Sequence, residues 1–564
     1  MEPGKMSVFK RLIELLRYEK QDISALYFYA ILGGLIQLSL PLGIQSIISF
    51  VLGGSLSTSL VLLVIFVIAG VFSTGLLQVN RMKLIEKIQQ QLFVRYAFQY
   101  AHTIPQLDTL KTNHYYLPEL VNRFFDTVSL QKGISKLLLD IPAATIQICF
   151  GLILLSFYHP VFIVFGMALL LVLYLILRTS GSRGMETSRE ESDYKYRVAG
   201  YLQELARLPQ VFKFSPTRSM PIRKTDRFVT GYLGARTAHF KILLVQYWTL
   251  IGFKVVITSA MLIIGCFLLL NQQLNIGQFI AAEIVILMVI DSVEKLVVNL
   301  DKVYDVLTAV EKINKVTDQP QEQGGQLALA AHDGIAIKAQ QLSAGYEPGD
   351  PVLKEVSFHI KAGQMVCLQG GAGSGKSTLL RLLAGLVSSH TGTLLVNNIP
   401  SNNYSPLSLR SQTGTLFQHP AIFQGSLREN ICMGDETIHY QQLDELAAVV
   451  GLKSFADEHP NGYERELQPM GQQLSAQTLR KIMLMRALIR RPPLLLLDEP
   501  WAGLEEDAVV RIRHYLSQQV TYTTIVAASN DARFAATCHQ VIVLAEGRIQ
   551  SIMENNYAAD QTNR

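Results

Sequence analysis

Four residues of the stretch "QMVCLQGGAGSGKSTLLRLLAG", Gly370, Gly375, Lys376 and Ser377, stand in the order GxxxxGKS. A short apolar run leads into them and a helical apolar pattern leads out, which is the strand, loop and helix setting that a phosphate-cradling loop needs. In such a loop the backbone N–H groups of Gly371, Ala372, Gly373, Ser374, Gly375, Lys376, Ser377 and Thr378 point inward, and the positive end of the following helix adds to their field. Lys376 is expected to reach the β and γ oxygens of a nucleotide and Ser377 to ligate magnesium. Further along, "LLLLDEP" at 494–500 reads as a buried strand ending in two acids. Asp498 is placed to hold the metal through water and Glu499 to polarise an attacking water. Together these residues predict hydrolysis of ATP with Mg2+.

The elements that position these residues belong to an α/β domain. From Ile335 onward short apolar strands alternate with helices. Before it, "TDQPQEQGGQ" loses helical periodicity and gains Pro and Gly, which predicts a linker over 317–334 between a domain at 1–316 and one at 335–564.

The first domain has a different character. The chain of 564 residues is 49% hydrophobic and 17% charged, with a mean hydropathy of +0.25, too apolar for an entirely soluble protein of this length. Apolar runs at 25–52, 58–79, 137–157, 160–178, 242–270 and 276–298 each reach the ~20 residues that a membrane-crossing helix needs. Three links, at 53–59, 158–160 and 271–275, contain no Lys or Arg. The other links are long and basic, with Arg178, Arg183, Arg189, Lys195, Arg197, Arg207, Lys213 and Arg218 following the fourth run. Basic residues accumulate on the cytoplasmic side, so both termini and the second domain are expected there. "VFKRLIELLRYEK" has an apolar and a basic face and predicts a helix lying in the membrane interface. The first apolar run is long enough to be a span, so a cleavable signal peptide is not expected. The resulting fold class is an all-α six-helix transmembrane domain followed by an α/β P-loop NTPase domain.

Asp140, Lys254, Glu283 and Asp291 lie at or within the apolar runs, where an unpaired charge costs about 2.5–3.5 kcal/mol. Two readings stand: a hydrated pathway between helices, or interfacial placement of the two Asp residues with Lys254 paired to a carboxylate for packing. The five cysteines, Cys149, Cys266, Cys367, Cys432 and Cys538, have no metal or redox spacing and are expected to fill cores.

The order of these features resembles the ABC exporter family of half-transporters, in which six spans precede a nucleotide-binding domain. The resemblance covers the whole chain. Within it Tyr346 in "LSAGYEP" matches the aromatic that stacks on adenine. Gln418 in "TLFQHPAIFQGSLRENI" matches the glutamine that contacts the metal, so the resemblance implies a metal set of Ser377, Gln418 and Asp498. "NGYERELQPMGQQ", with Glu466 at its acidic position, resembles the loop that carries motion between domains. "LNIGQFIAAEIVIL" resembles the start of the sixth helix. The first two spans look most similar to bacterial type I secretion and bacteriocin-type exporters.

Three positions depart from the family pattern. The signature LSGGQ reads Leu474, Ser475, Ala476, Gln477, Thr478. The segment that should resemble SALD reads Ala502, Gly503, Leu504, Glu505. Asn530 occupies the position of the switch histidine, and His539 lies too far along to replace it and is expected at the surface. In the family, signature residues (here Ser475, Ala476 and Gln477) close over the nucleotide of the opposite subunit. Gln477 adds a side chain where close backbone approach is wanted. Asn530 can donate a hydrogen bond but carries no positive charge and shuttles no proton. Loss of one preorganised stabiliser costs ~10²-fold to 10³-fold in rate, so ATP binding is expected to persist with slow turnover.

The resemblance implies an ABC-type translocase in the bacterial inner membrane, hydrolysing ATP and exporting by alternating access. Glu499, Gln418 and Asn530 are its expected catalytic positions. The expected cargo is a secreted polypeptide, with a lipid or amphiphile as the other choice. The alternative is an ATP-binding regulatory or assembly subunit with little hydrolysis. Expected partners are a second half-transporter, identical or different, membrane lipid, and a periplasmic adaptor with an outer-membrane channel; no nucleic acid is expected. From the chain length, an N-terminal leader-peptidase domain is not expected.

Overall fold

The computed structural model describes residues 8–54, 58–112, 116–214, 217, 219–330, 333–347, 349–418 and 422–555, with the side chains at 177 and 179–182 also outside the description. Arg218, part of the link at 53–59 and part of the stretch after Gln418 therefore lie outside the described residues. The chain divides into two units, Met1–Pro320 and Gln321–Arg564.

The first unit is helical. Long helices run over Thr58–Thr103, Asp126–Tyr158, Val161–Arg207 and Ser219–Leu270, with Lys20–Gln37, Ser39–Leu52, Ile276–Val298 and Leu300–Thr317 beside them. A helix rises about 1.5 Å per residue, so one of 46 to 52 residues is more than twice the ~30 Å thickness of the hydrocarbon. The apolar runs fill only part of each helix, and the basic links are largely the same helices continuing beyond them. Asn275 opens the helix Ile276–Val298 with a capping box, its side chain accepting from Gln278 N–H at 2.7 Å while the Gln278 side chain accepts from Asn275 N–H at 3.0 Å.

Among the described residues, five helical stretches are long and apolar enough to cross a membrane: Lys20–Leu52, Thr58–Gln106, Leu117–Tyr158, Ser219–Leu270 and Ile276–Thr317. The expected fourth run begins the helix Val161–Arg207, but its described apolar part, Val161–Ile176, is shorter than the others. Side chains that pack between spans include Leu155, Leu169, Met261, Val285 and Val289, all buried, whereas Phe66, Phe72 and Ile263 point outward.

The helix Val8–Arg17 turns Leu12 and Leu15 into a protein core with Val310, Ile313 and Val316, and Arg11 pairs with Asp318 at 2.5 Å. Packing takes up Leu12 and Leu15 of its apolar pattern, while Phe9 and Ile13 stay exposed. Cys149 and Cys266 are exposed and do not fill a core. An apolar run signals insertion without telling which face of the helix meets protein. Of the intramembrane charges, Asp140 pairs with Lys136 and Asp291 with Lys295 one turn away on the same helix. Lys254 pairs with Glu294, a residue outside the expected set. Glu283 retains a buried carboxylate oxygen with no hydrogen-bond partner among the described residues.

Among the described residues, the second unit holds two larger sheets. One is antiparallel, in the order Leu353–Ile360, Ile337–Ala344, His390–Val396, Ile399–Pro400. The other runs Arg548–Glu554, Gln540–Ala545, Met365–Gln369, Thr524–Ala528, Leu494–Asp498, Thr413–Leu416. Its central strands are parallel, and those at 365–368, 494–497 and 524–528 are buried throughout, which explains their continuous apolar composition. Ala528 pairs with both Leu368 and Asp498. That register brings the loop after Gln369, the acids at 498–499 and the segment after Ala528 to one edge, the carboxyl ends of the strands, where open α/β sheets bind ligands.

Candidate functional site

The loop between Met365–Gln369 and the helix Lys376–Leu383 turns on glycines at φ +150° (Gly370), +78° (Gly373) and +102° (Gly375). A Cβ on Gly370 would lie 2.3 Å from the Leu544 carbonyl oxygen, so a side chain is excluded by space as well as by conformation. Lys376 Nζ donates to the carbonyls of Gly370 and Gly371 at 2.7 and 3.0 Å. The Ser374 hydroxyl is buried with no hydrogen-bond partner among the described residues. A cradle of left-handed glycines, a lysine and a spare hydroxyl at a helix N-terminus fits phosphate oxygens.

Gln418 stands between the two other expected metal residues. Its Nε2 lies 3.4 Å from Ser377 Oγ and 3.3 Å from Asp498 Oδ1. Oxygen donors from a hydroxyl, a carboxylate and, with the amide turned over, a carboxamide suit Mg2+. Tyr346 is anchored at the foot of the same helix: its hydroxyl is 3.3 Å from Thr378 Oγ1 and accepts from Arg381 at 3.1 Å.

Glu499 adopts φ +48°, with its N–H donating to the Ala528 carbonyl at 2.9 Å and its carbonyl accepting from Arg480 at 2.5 Å. Burial raises the Glu499 carboxyl above its usual range; nearby Lys376 opposes that rise, and Asp498 adds to it. A base held above the ordinary carboxylate value is better matched to removing a proton from water near neutral pH.

Asn530 faces the loop directly. Its Oδ1 accepts from Gly370 N–H at 3.1 Å, so it tethers the strand exit to the phosphate cradle. His539, expected at the surface, is instead half-buried beside Met365. Its Nδ1 accepts from Met365 N–H at 3.2 Å, and burial lowers its pKa. Met365 begins the strand whose far end carries the phosphate loop, so His539 is at the wrong end to act on a nucleotide.

The segment around Asn530 rests on residues that sequence reasoning missed. Trp501 Nε1 donates to Ser529 Oγ at 3.0 Å, and its ring packs on Phe534 with centroids 5.0 Å apart. Arg513 sits over the Trp501 ring at 5.3 Å and pairs with Asp531, which in turn caps the helix Ala532–Thr537. A tryptophan immediately after "DEP", one of only two in the chain, is the available signal.

Ser475 caps the helix Ala476–Leu488, accepting from Thr478 N–H at 3.0 Å. Ala476 is the first residue of that helix. Gln477 Nε2 donates to Glu505 Oε1 at 3.1 Å, joining two of the three departures from the family pattern. Ala476 and Gln477 line a 220 Å³ cavity together with Gln418, Ala502 and Gly503. The structure thus brings the phosphate loop, Gln418, Asp498, Glu499 and Asn530 together, while the described side-chain hydrogen bonds of Ser475 and Gln477 go to Thr478 and Glu505. Glu466 lies apart, in a two-residue strand paired with Gly425–Ser426.

Comparison with known proteins decides the family. The model for the ABC transporter transmembrane region matches residues 23–205, and that for the ABC transporter itself matches residues 353–502. The chain belongs to the ABC transporter family. This ABC transporter chain is 22% identical to ABC transporter B family member 1 of Dictyostelium discoideum, over 97% of its own length and 61% of the relative's. It is 29% identical to Antigen peptide transporter 2 of Homo sapiens, over 52% and 43% of the two chains. It is 27% identical to the ATP-dependent lipid A-core flippase of Alcanivorax borkumensis, over 51% of each. The alignments therefore span only part of these relatives. Among solved structures, a bacterial Atm1-family ABC exporter with ATP bound superposes with a TM-score of 0.84 at 17% identity, covering 97% of this chain and 96% of that one. That likeness establishes the exporter fold.

Proposed function

We propose that this ABC transporter chain is an exporter half-transporter of the bacterial inner membrane that moves its cargo by ATP-driven alternating access. The observation that carries the reading is the convergence of Lys376, Ser377, Gln418, Asp498 and Glu499 at one edge of the sheet, with the Glu499 carboxyl raised by burial. ATP occupies the cradle of residues 370–378 with its ring on Tyr346. Ser377, Gln418 and Asp498 would hold magnesium, which would supply charge neutralisation on the phosphates. Glu499 takes the proton of the attacking water. Ser475, Ala476 and Gln477 serve the nucleotide of a second subunit, identical or different, and the Gln477–Glu505 bond and Asn530 slow the cycle. The cargo is a secreted polypeptide delivered to a periplasmic adaptor and outer-membrane channel, with a lipid or amphiphile as the alternative; relatives named for a peptide and for lipid A-core support both.

A second reading, a nucleotide-gated subunit with little hydrolysis, is favoured by Asn530 acting as a tether for Gly370 in place of an ionisable switch. Magnesium-dependent ATP hydrolysis by the purified protein in lipid, with co-purifying chains identified and Lys376→Ala as the empty control, separates the two. Turnover well above the control supports the exporter. ATP binding with turnover equal to the control refutes it for this chain acting alone.

A further inference from the structure

The helical unit contains a cavity of 370 Å³ lined by its own residues. It lies between the short helix Leu117–Val121, the last turns of Val161–Arg207 and the first turns of Ser219–Leu270. Its volume falls within the ~300–1,000 Å³ range of small-molecule sites. Tyr116, Tyr201 and Phe228 supply aromatic walls.

The charges around these rings are unevenly satisfied. Lys224 sits over the Tyr201 ring at 4.4 Å and also lies 3.8 Å from Glu204, which balances it. Arg207 sits over Tyr116 at 5.3 Å and Arg197 over Tyr194 at 5.1 Å, and neither guanidinium has a carboxylate partner among the described residues. Tyr201 is only 5% exposed, yet its hydroxyl has no hydrogen-bond partner among the described residues. Two unpaired forks and a buried hydroxyl beside a flat apolar wall match an oxyanion joined to a ring. Glu119, also in the lining, leaves a net surplus of one positive charge, which suits a singly charged acid better than a doubly charged one.

The position argues for a water-soluble ligand. At about 1.5 Å per residue, Lys224 stands roughly 27 Å along its helix from the apolar run that starts at 242, and Tyr201 roughly 35 Å from the run that ends at 178. A lipid headgroup does not extend so far from the hydrocarbon.

We propose that this cavity binds a soluble aromatic carboxylate. Isothermal titration calorimetry of the full chain in lipid nanodiscs, with indole-3-acetate as probe and acetate and indole as its separate halves, tests the assignment. The expected result is one saturable site per chain, with the intact probe bound at least ~10-fold more tightly than either half. Arg197→Gln with Arg207→Gln weakens it at least ~10-fold, as loss of charge-assisted bonds implies. Tyr201→Phe, which keeps the ring, weakens it severalfold without lowering the melting temperature. Should the double variant not fold, Arg207→Gln alone is compared with Arg207→Lys, which keeps the charge and recovers part of the affinity. Absence of saturable binding, affinity unchanged in the Arg and Tyr variants, or tighter binding of naphthyl phosphate than of the carboxylate each overturns the proposal.

Discussion

Replacing Glu499 by Gln removes one charge and leaves its setting intact. The backbone is held by its bonds to the Ala528 carbonyl and from Arg480, which go to the Glu499 N–H and carbonyl and are open to Gln as well, and the φ of +48° costs about 1–2 kcal/mol for Glu and Gln alike. Gln has the same size, so the fold is retained and only the base is lost. General-base catalysis contributes ~10²-fold to 10⁴-fold, or about 3–5 kcal/mol of barrier, and turnover should fall by that factor while ATP still binds. The base works when ionised, and burial raises its pKa, so wild-type turnover climbs with pH through a window above the usual carboxylate range. The variant lacks that limb. The same shift bears on stability with the opposite sign: the unfolded chain releases this proton more readily than the folded one, so the carboxyl subtracts from stability as pH rises through the window. The Gln variant should therefore melt no lower than wild type at neutral pH. Phosphate release at saturating magnesium and ATP, followed across pH, together with thermal unfolding, reads both effects. A variant that keeps turnover within about threefold of wild type, or a pH limb that survives the substitution, refutes the assignment of Glu499 as base.

Three further outcomes follow from the geometry. Gly375→Ala forces a side chain to φ +102° with its Cβ 2.8 Å from the buried Leu353 Cδ2, so strain of about 1–3 kcal/mol and loss of ATP binding are expected in denaturant unfolding and nucleotide titration. Ser475→Ala removes the cap of the helix Ala476–Leu488 and should cost about 1 kcal/mol; an unchanged unfolding midpoint would refute the capping role. Lys254→Ala or Glu294→Ala leaves one charge of an intramembrane pair alone, at about 2.5–3.5 kcal/mol, so each single variant should be less stable in lipid than the double variant. A double variant less stable than both singles would show that the pair does not share its burial cost.

The local chemistry of this chain was legible in the sequence because it is carried by neighbours along the chain. The cradle from Gly370 to Thr378 needs glycines and a lysine at set intervals, and "LLLLDEP" needs a buried strand ending in acids; both patterns are written in consecutive residues. The apolar runs were legible for the same reason, since a span is contiguous. Tertiary structure decided which distant residues meet. The register of Ala528 against Leu368 and Asp498 is set by strand order, and no local pattern discloses that Asn530 accepts from Gly370 or that Gln477 reaches Glu505. The pairing of Lys254 with Glu294, the support of Ser529 by Trp501 and the burial of His539 beside Met365 depend likewise on chain segments brought together only by packing. Sequence periodicity reports that a helix has an apolar face, as in Val8–Arg17; which of its residues protein covers is settled by neighbours in space, here Val310, Ile313 and Val316 in one core with Leu12 and Leu15.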